Sequence, residues 1–290
     1  MKQSERVTAA KNTLEIIKNG FYHNQYQEQI KLEIEIENAI KNSTLFKENE
    51  FENLFLERDK LFLTQNIVQT NIKVTTETTL EACKRIYAND KKIFCLNFAS
   101  AKNEGGGFLG GAQAQEESLA RSSALYPCLT KFHHDFYHLH KEQKNSYYTS
   151  NMIFSSDVPV FKDDDGILLD NFYSVSFLTS PAVNVGSLKQ NQLLKNDSQK
   201  YDEEKYEKLM LQRLENLLTI AYVYGYESLV LGAWGCGVFQ NDPKKVAQLF
   251  ASLLTKNNAI FKNRFKNIVF AIYTSGNKTD NLVPFQQTFG

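Results

Sequence analysis

Short apolar runs alternate with amphipathic stretches along most of this chain, and few folds accept that rhythm. QTNIKVTT precedes TTLEACKRIYAND, KKIFCLNFA precedes AQEESLARSSALY, and YSVSFLTSPA precedes DEEKYEKLMLQRLENLLTIAYVYG. ESLVLGAW then precedes DPKKVAQLFASLLTKN, and FKNIVFAIYT closes the series. A short continuous apolar run suits a strand buried on both faces, while the stretches between repeat apolar residues at helical intervals. Such alternation implies an α/β fold whose sheet is covered by helices on both faces. NMIFSSDVPVFKDDDGILLDNFY breaks the pattern and reads as a hairpin or loop excursion around a DDDG turn. Residues 1–65 read as charged and mostly helical, with Gly20 placed where a first helix stops. Within them, KLEIEIE alternates in a way that also suits a strand. No internal repeat or low-complexity linker interrupts the chain.

A chain of 290 residues buries a sizeable core. Its formal net charge is zero, which argues against a general DNA-binding or membrane surface; an anionic ligand would need a local site. The N-terminal stretch MKQSERVTAAKNTLEII has no signal-like apolar core, and no run approaches the roughly 18 apolar residues of a membrane span. Cys83, Cys95, Cys128 and Cys236 lie far apart without a C-x-x-C pair. Zinc knuckles and a disulfide scaffold are therefore disfavoured, and a reduced, cytoplasmic protein is expected; separately, a monomer is expected.

Two glycine-rich loops follow apolar runs. In LNFASAKNEGGGFLGGAQAQEE, Gly105, Gly107 and Gly110 formally satisfy the dinucleotide-binding pattern G-x-G-x-x-G. That reading fails on context. SAKNE intervenes after the strand, the helix begins only near Gln115, and the polar, aromatic HHDFYHLH stands where the next strand should be. No G-K-[ST] follows, so a P-loop is excluded as well. The second loop, LVLGAWGCGVFQNDP, carries Gly232, Gly235 and Gly237 and runs into a helix opened by Asp242 and Pro243. Either loop alone is as well explained by tight turning. Together they suggest bare main-chain N–H groups gathered for a diphosphate, since amide dipoles stabilise anions without a lysine.

Glu116 and Glu117 follow the first loop at a helix start, where acidic residues are favoured by the helix dipole in any case. Adjacent helical residues diverge by about 100°, which suits two jobs. One acid would grip sugar hydroxyls and the other would exchange a proton with a breaking glycosidic bond.

NEGGGFLGGAQAQEE resembles the signature of the bacterial-type poly(ADP-ribose) glycohydrolases, a macrodomain family, with seven residues between Gly107 and Gln115. RVTAAKNTLEIIKNGFY, VPVFKDDDGILL, FLTSPAVN and LVLGAWGCGVFQNDP resemble further family segments in order, so the likeness spans nearly the whole chain. PAVN stands where the family pattern has PAPN. The resemblance implies a three-layer α/β/α macrodomain with a mixed central sheet over 66–290, an N-terminal helical extension over 1–65, and hydrolysis of ribose–ribose O-glycosidic bonds. It implies no cofactor and no metal. Poly(ADP-ribose), ADP-ribose and ADP-ribosylated proteins are the implied partners.

By motif, Glu117 becomes the catalytic acid/base and Glu116 the residue that holds the ribose at the scissile bond. Asn103, Gly105, Gly106, Gly107 and Gln115 fall on substrate-binding positions of the first motif. Gly235, Cys236, Gly237 and Val238 would contact phosphate, and Phe239 would orient the distal ribose. Removal of single ADP-ribose groups from proteins, and non-catalytic ADP-ribose binding, are the alternatives on the same scaffold.

Other constellations are weaker. His134 and His138 share a helical face, yet have no helix-fixed acid or cysteine partner for a metal. KDDDG lacks the further spaced ligands of a calcium loop. Cys236 has no histidine near it in sequence and reads as structural, Trp234 as packing under the second loop. The charged residues of 189–216 read as a solvated helix face.

Overall fold

The computed structural model describes residues 1–193, 200–274, 276 and 279–290. Nine strands form among them: β1 Phe21–His23, β2 Gln29–Lys31, β3 Thr44–Phe46, β4 Asn71–Thr75, β5 Ile93–Phe98, β6 Met152–Lys162, β7 Leu168–Ser180, β8 Ser228–Leu231 and β9 Asn267–Ala271. The chain gathers into two compact units. One comprises Met1–Phe46, Cys83–Glu142 and Asn151–Ser180; the other comprises Lys47–Ala82, Gln143–Ser150 and Pro181–Gly290.

In the first unit the strand order is β3-β6-β7-β5, antiparallel except for the parallel β7-β5 pair, so the sheet is mixed. β5 pairs Phe94 with Ser176 through Phe98 with Ser180 and is buried along nearly its whole length, which is why its sequence is an unbroken apolar run. The one polar exception inside it is Asn97, with no exposed surface. The DDDG stretch makes the β6–β7 hairpin turn. Asp163 Oδ1 accepts from the N–H groups of Asp165 (3.0 Å) and Ile167 (2.8 Å), the side-chain bonding that makes Asp a turn residue.

The first helix, Gln3–Asn19, ends as expected at Gly20, whose φ is 74°. KLEIEIE divides between both expected states. Its start completes β2, which pairs with β1, and the rest opens the helix Glu33–Asn42. Leu32, Ile36 and Ala39 are buried at helical spacing, and that face overrides the alternation. The single helix expected over AQEESLARSSALY breaks in two, Gln115–Ser122 and Leu125–Thr130. Ser123 between them is extended, bridges Val160, and turns its hydroxyl back to Leu119 O at 2.7 Å.

In the second unit β8-β9-β4 are parallel neighbours. Helix Glu203–Val223 is capped by Asp202 accepting from Lys205 N–H (2.9 Å), and Pro243–Leu254 by Asp242 accepting from Lys244 N–H (2.9 Å), with Pro243 in its first turn. In the charged 189–216 segment, residues 194–199 lie outside the described residues. Glu203, Glu204, Lys205, Glu207 and Lys208 are exposed as a solvated face requires, but Arg213 is fully buried. Its guanidinium donates to the carbonyls of Tyr147 (2.5 Å), Tyr148 (3.1 Å) and Pro181 (3.1 Å) and to Ser150 Oγ (3.3 Å), so the charge is held by main chain. No helix among the described residues is long and apolar enough to cross a membrane, and the four cysteines are free.

Candidate active site

The first glycine loop leaves the end of β5 and returns at Gln115, within the first unit. Ser100 Oγ accepts from the N–H groups of Lys102 (3.3 Å) and Asn103 (3.1 Å), and Asn103 O accepts from Gly106 N–H (3.0 Å). Gly105 and Gly106 then take φ values of 65° and 61°, a left-handed pair that side chains disfavour. This conformation lays bare main chain across both carboxylates. A Cβ on Gly106 would stand 2.3 Å from Glu117 Oε1 and 3.2 Å from Glu116 Oε2. Gly107 N–H donates to Glu117 Oε1 at 2.9 Å. Loop and acids therefore form one unit of structure.

The two glutamates occupy different environments. Glu116 is buried, accepting from Ser100 N–H (2.6 Å) at one oxygen and from Asn97 Nδ2 (3.2 Å) at the other. Burial pushes its carboxyl up from the ordinary 4.5 to about 8; the charges of Glu117 and Glu104 add to this, and the two hydrogen bonds oppose it. At neutral pH it can thus donate a hydrogen bond. Glu117 is half-buried and faces the glycine turn. The helix dipole alone would favour both acids equally; their unequal burial is what separates their chemistry.

Gln115 holds the helix start against β5: its Nε2 donates to Leu96 O (2.8 Å) and its Oε1 accepts from Phe98 N–H (2.9 Å). The side chain of this sequence-predicted binding residue is thus engaged with main chain. Asn103, by contrast, is exposed at the loop entrance. Sequence reasoning missed Asn97, Ser100 and Tyr137. Tyr137 is fully buried with a hydroxyl that finds no partner among the described residues, and burial, then Glu116 and Glu104, push that hydroxyl well above its ordinary value. Asn97 left one signal, a polar residue inside a buried run.

Around HHDFYH the backbone winds as a π-helix, His133–His138. His133 Nδ1 lies 2.5 Å from Glu104 Oε1, and the rings of His134 and His138 are 6.0 Å apart. No group of three His, Cys, Asp or Glu side chains among the described residues is arranged to hold a metal ion.

The second loop lies in the second unit, after β8. Trp234 is fully buried beneath it. Gly235 has φ 75°, and a Cβ there would meet Ala182 Cβ at 2.5 Å and Asn241 Nδ2 at 2.6 Å. Asn241 ties the turn together, donating from Nδ2 to Val183 O (2.8 Å) and Gly235 O (3.0 Å). Val183, the departure within PAVN, thus contributes a carbonyl that any residue would offer. The N–H groups of Gly235, Gly237, Val238 and Phe239 carry no main-chain hydrogen bond among the described residues, and Val238 is exposed. Burial raises the Cys236 thiol well above its ordinary value, which fits a structural residue better than a nucleophile. Phe239 packs its ring 6.0 Å from that of Tyr148.

Against known proteins, the model of the microbial-type PARG catalytic domain matches residues 10–163. The chain belongs to the microbial-type PARG family. Its structure is similar to that of poly(ADP-ribose) glycohydrolase from Thermomonospora curvata, with 37% identity, 99% of this chain and 100% of that chain covered, and a TM-score of 0.89. The same enzyme bound to the inhibitor ADP-HPD matches at 37% identity, 99% coverage of both chains and TM-score 0.86. The enzyme from Deinococcus radiodurans in complex with ADP-ribose matches at 34% identity over 87% of this chain and 96% of that one, with a TM-score of 0.76. Comparison with curated proteins yields no match.

Proposed function

We propose that this protein is a poly(ADP-ribose) glycohydrolase that hydrolyses the ribose–ribose O-glycosidic bond at polymer ends and releases ADP-ribose. Family membership supports the activity, as does the likeness to glycohydrolases crystallised with ADP-ribose and with ADP-HPD. The observation that carries the mechanism is the turn at 105–107 folded over two carboxylates of unequal burial. Glu117 gives its proton to the leaving ribose oxygen as the C1″–O bond breaks. An oxocarbenium-like centre forms, and water adds to C1″ while returning a proton to the Glu117 carboxylate. Glu116, largely protonated below about pH 8, hydrogen-bonds a ribose hydroxyl and fixes the sugar.

In the same reading Asn103 and Gly105–Gly107 meet the distal ribose and its phosphates, and Gln115 keeps the first helical turn in place for them. The N–H groups of 235–239 take phosphate, and Phe239 orients the ribose. A macrodomain spanning 66–290 with its extension 1–65, acting as a monomer in the cytoplasm on ADP-ribosylated proteins, completes the proposal; the free cysteines fit a reducing compartment. Purified protein given labelled polymer should release ADP-ribose. Glu117→Gln should lower turnover by at least about 10²-fold while calorimetry still shows ADP-ribose binding. Full turnover in that variant refutes the catalytic role, and turnover confined to mono-ADP-ribosylated protein refutes the polymer as substrate.

A further inference from the structure

Gly106 and Gly107 stand at the carboxylates, but the GG pair of GFLGGAQAQ does not. Gly111 has φ 75°, and a Cβ there would meet Gln3 O at 2.6 Å and Val7 Cγ2 at 2.9 Å. It is a glycine because the N-terminal helix lies directly against it. That helix reaches back with two side chains: Arg6 Nε donates to Gly111 O (2.7 Å) and Gln3 Nε2 donates to Gly110 O (3.0 Å). From the other side Arg121, on the helix of the two glutamates, donates to Ala112 O (2.8 Å) and Gln113 Oε1 (2.7 Å).

Below these contacts Ala10, Phe108 and Ala120 share a small core with Leu14 and Tyr126. The Thr13 hydroxyl bonds Arg121 O, and buried Lys162 donates to Thr13 Oγ1 (2.8 Å) and Ala9 O (2.9 Å). The 110–113 segment is thus gripped by two guanidiniums whose like charges oppose each other, burial and Arg6 together making the Arg121 cation less favourable. This segment is the covalent link between Gly107 and Glu117, whose 2.9 Å bond sets the direction of the acid.

We infer that Arg6, assisted by Gln3, is a positioning residue for the hydrolysis. It latches the N-terminal helix onto the link between glycine turn and acid, so this helix is a working part of the active site; the inference rests on the function proposed above. Releasing the latch lets the link swing and misdirects Glu117 without removing a group that touches substrate. A misplacement of even 1 Å at a reacting group lowers rate by about 10²-fold, and a partial one should lower it by roughly tenfold.

The test compares the parent, Arg6→Ala, Arg6→Lys and Gln3→Ala on labelled polymer, with amide hydrogen exchange measured alongside. Arg6→Ala should lower kcat roughly tenfold with KM within about threefold, and Arg6→Lys should recover part of the loss. Exchange should quicken across 108–113 and stay unchanged in β5. A kcat within about twofold of the parent in folded Arg6→Ala overturns the latch, as does a loss matched by faster exchange in β5. Should Arg6→Ala fail to fold, Gln3→Ala at an exposed side chain decides by the same readouts, with a smaller kcat loss expected. An inert parent would overturn the assigned function and Arg6's catalytic role with it, whereas an active parent with a kcat unmoved in Arg6→Ala would overturn the latch alone.

Discussion

Replacing Gly106 by alanine separates the stability of the glycine loop from its catalytic purpose. The backbone there has φ 61°, so a side chain costs about 1–2 kcal/mol in the left-handed region. The new Cβ would lie 2.3 Å from Glu117 Oε1 and 2.9 Å from its Cδ, inside any tolerated contact. The obstructing atoms are the far end of a side chain, so the carboxylate turns away and the fold survives. It must retreat by roughly 0.7 Å to reach a 3.0 Å contact, and the 2.9 Å bond from Gly107 N–H is lost with it. A displacement near 1 Å at a reacting group lowers rate by about 10²-fold, equivalent to about 2.7 kcal/mol of barrier. Gly106→Ala should therefore melt only a few degrees lower, since about 1 kcal/mol moves a domain of this size by ~2–4 °C, yet lose about 10²-fold in kcat. Gly105→Ala should behave the other way. Its Cβ would press on Ala120 Cβ at 3.0 Å and Phe108 Cδ1 at 3.1 Å, both buried, so stability suffers more than the acid's direction. Polymer turnover and thermal melting of both variants check this. A Gly106→Ala enzyme turning over within about threefold of the parent would show that Glu117 is not aimed by this turn.

Two further outcomes follow from buried charges. Glu116 is held at about 8 against an ordinary 4.5, so the native state keeps a proton that the unfolded chain releases. Stability from this group is therefore full below about pH 4.5 and declines as pH rises toward 8, by at most about 1.4 kcal/mol per unit. Urea denaturation of Glu116→Gln between pH 5 and about 8 should give a flatter dependence than the parent, and equal slopes contradict the assigned burial. Arg213→Met leaves the carbonyls of Tyr147, Tyr148 and Pro181 without their buried donor. At about 1–3 kcal/mol for each abandoned acceptor, it should be destabilised by at least ~3 kcal/mol in urea, and a loss under about 1 kcal/mol would mean water replaces the guanidinium there.

The alternating strands and helices were legible because burial on both faces writes itself into sequence as unbroken apolar runs, as in Ile93–Phe98. Caps were legible for the same local reason: Gly20 and Asp242 act on neighbours in the chain. β3 was not, because three residues carry no readable period and the strand is fixed by pairing with β6, more than a hundred residues away. The break at Ser123 depends on a bridge to Val160, and the buried state of Arg213 on carbonyls of a distant loop, so neither leaves a local mark. The acids and glycines of the site could be named from their motif. Asn97, Ser100 and Tyr137 could not, since only the fold brings the first two into hydrogen bonds with Glu116 and the third within reach of its charge, and Gln115 belongs to the motif while its side chain bonds β5.

Glycine before a pair of carboxylates is commonly read as flexibility, but the geometry argues for close approach. The place where a Cβ would sit on Gly106 is already taken by the Glu117 carboxylate, and the N–H of the next residue is bonded to that same carboxylate. The turn is therefore rigid where it touches the acids. For the proposed hydrolysis, main chain would also solve a chemical conflict. A lysine recruited to hold a diphosphate beside a general acid would favour the ionised carboxylate and withhold the proton that the leaving oxygen needs. Amide dipoles attract the same anion with no full positive charge. Placing one glutamate inward against Ser100 and Asn97 and its neighbour outward under the turn gives two unlike carboxyls from adjacent residues, matching the donor and the acid that the proposed hydrolysis requires.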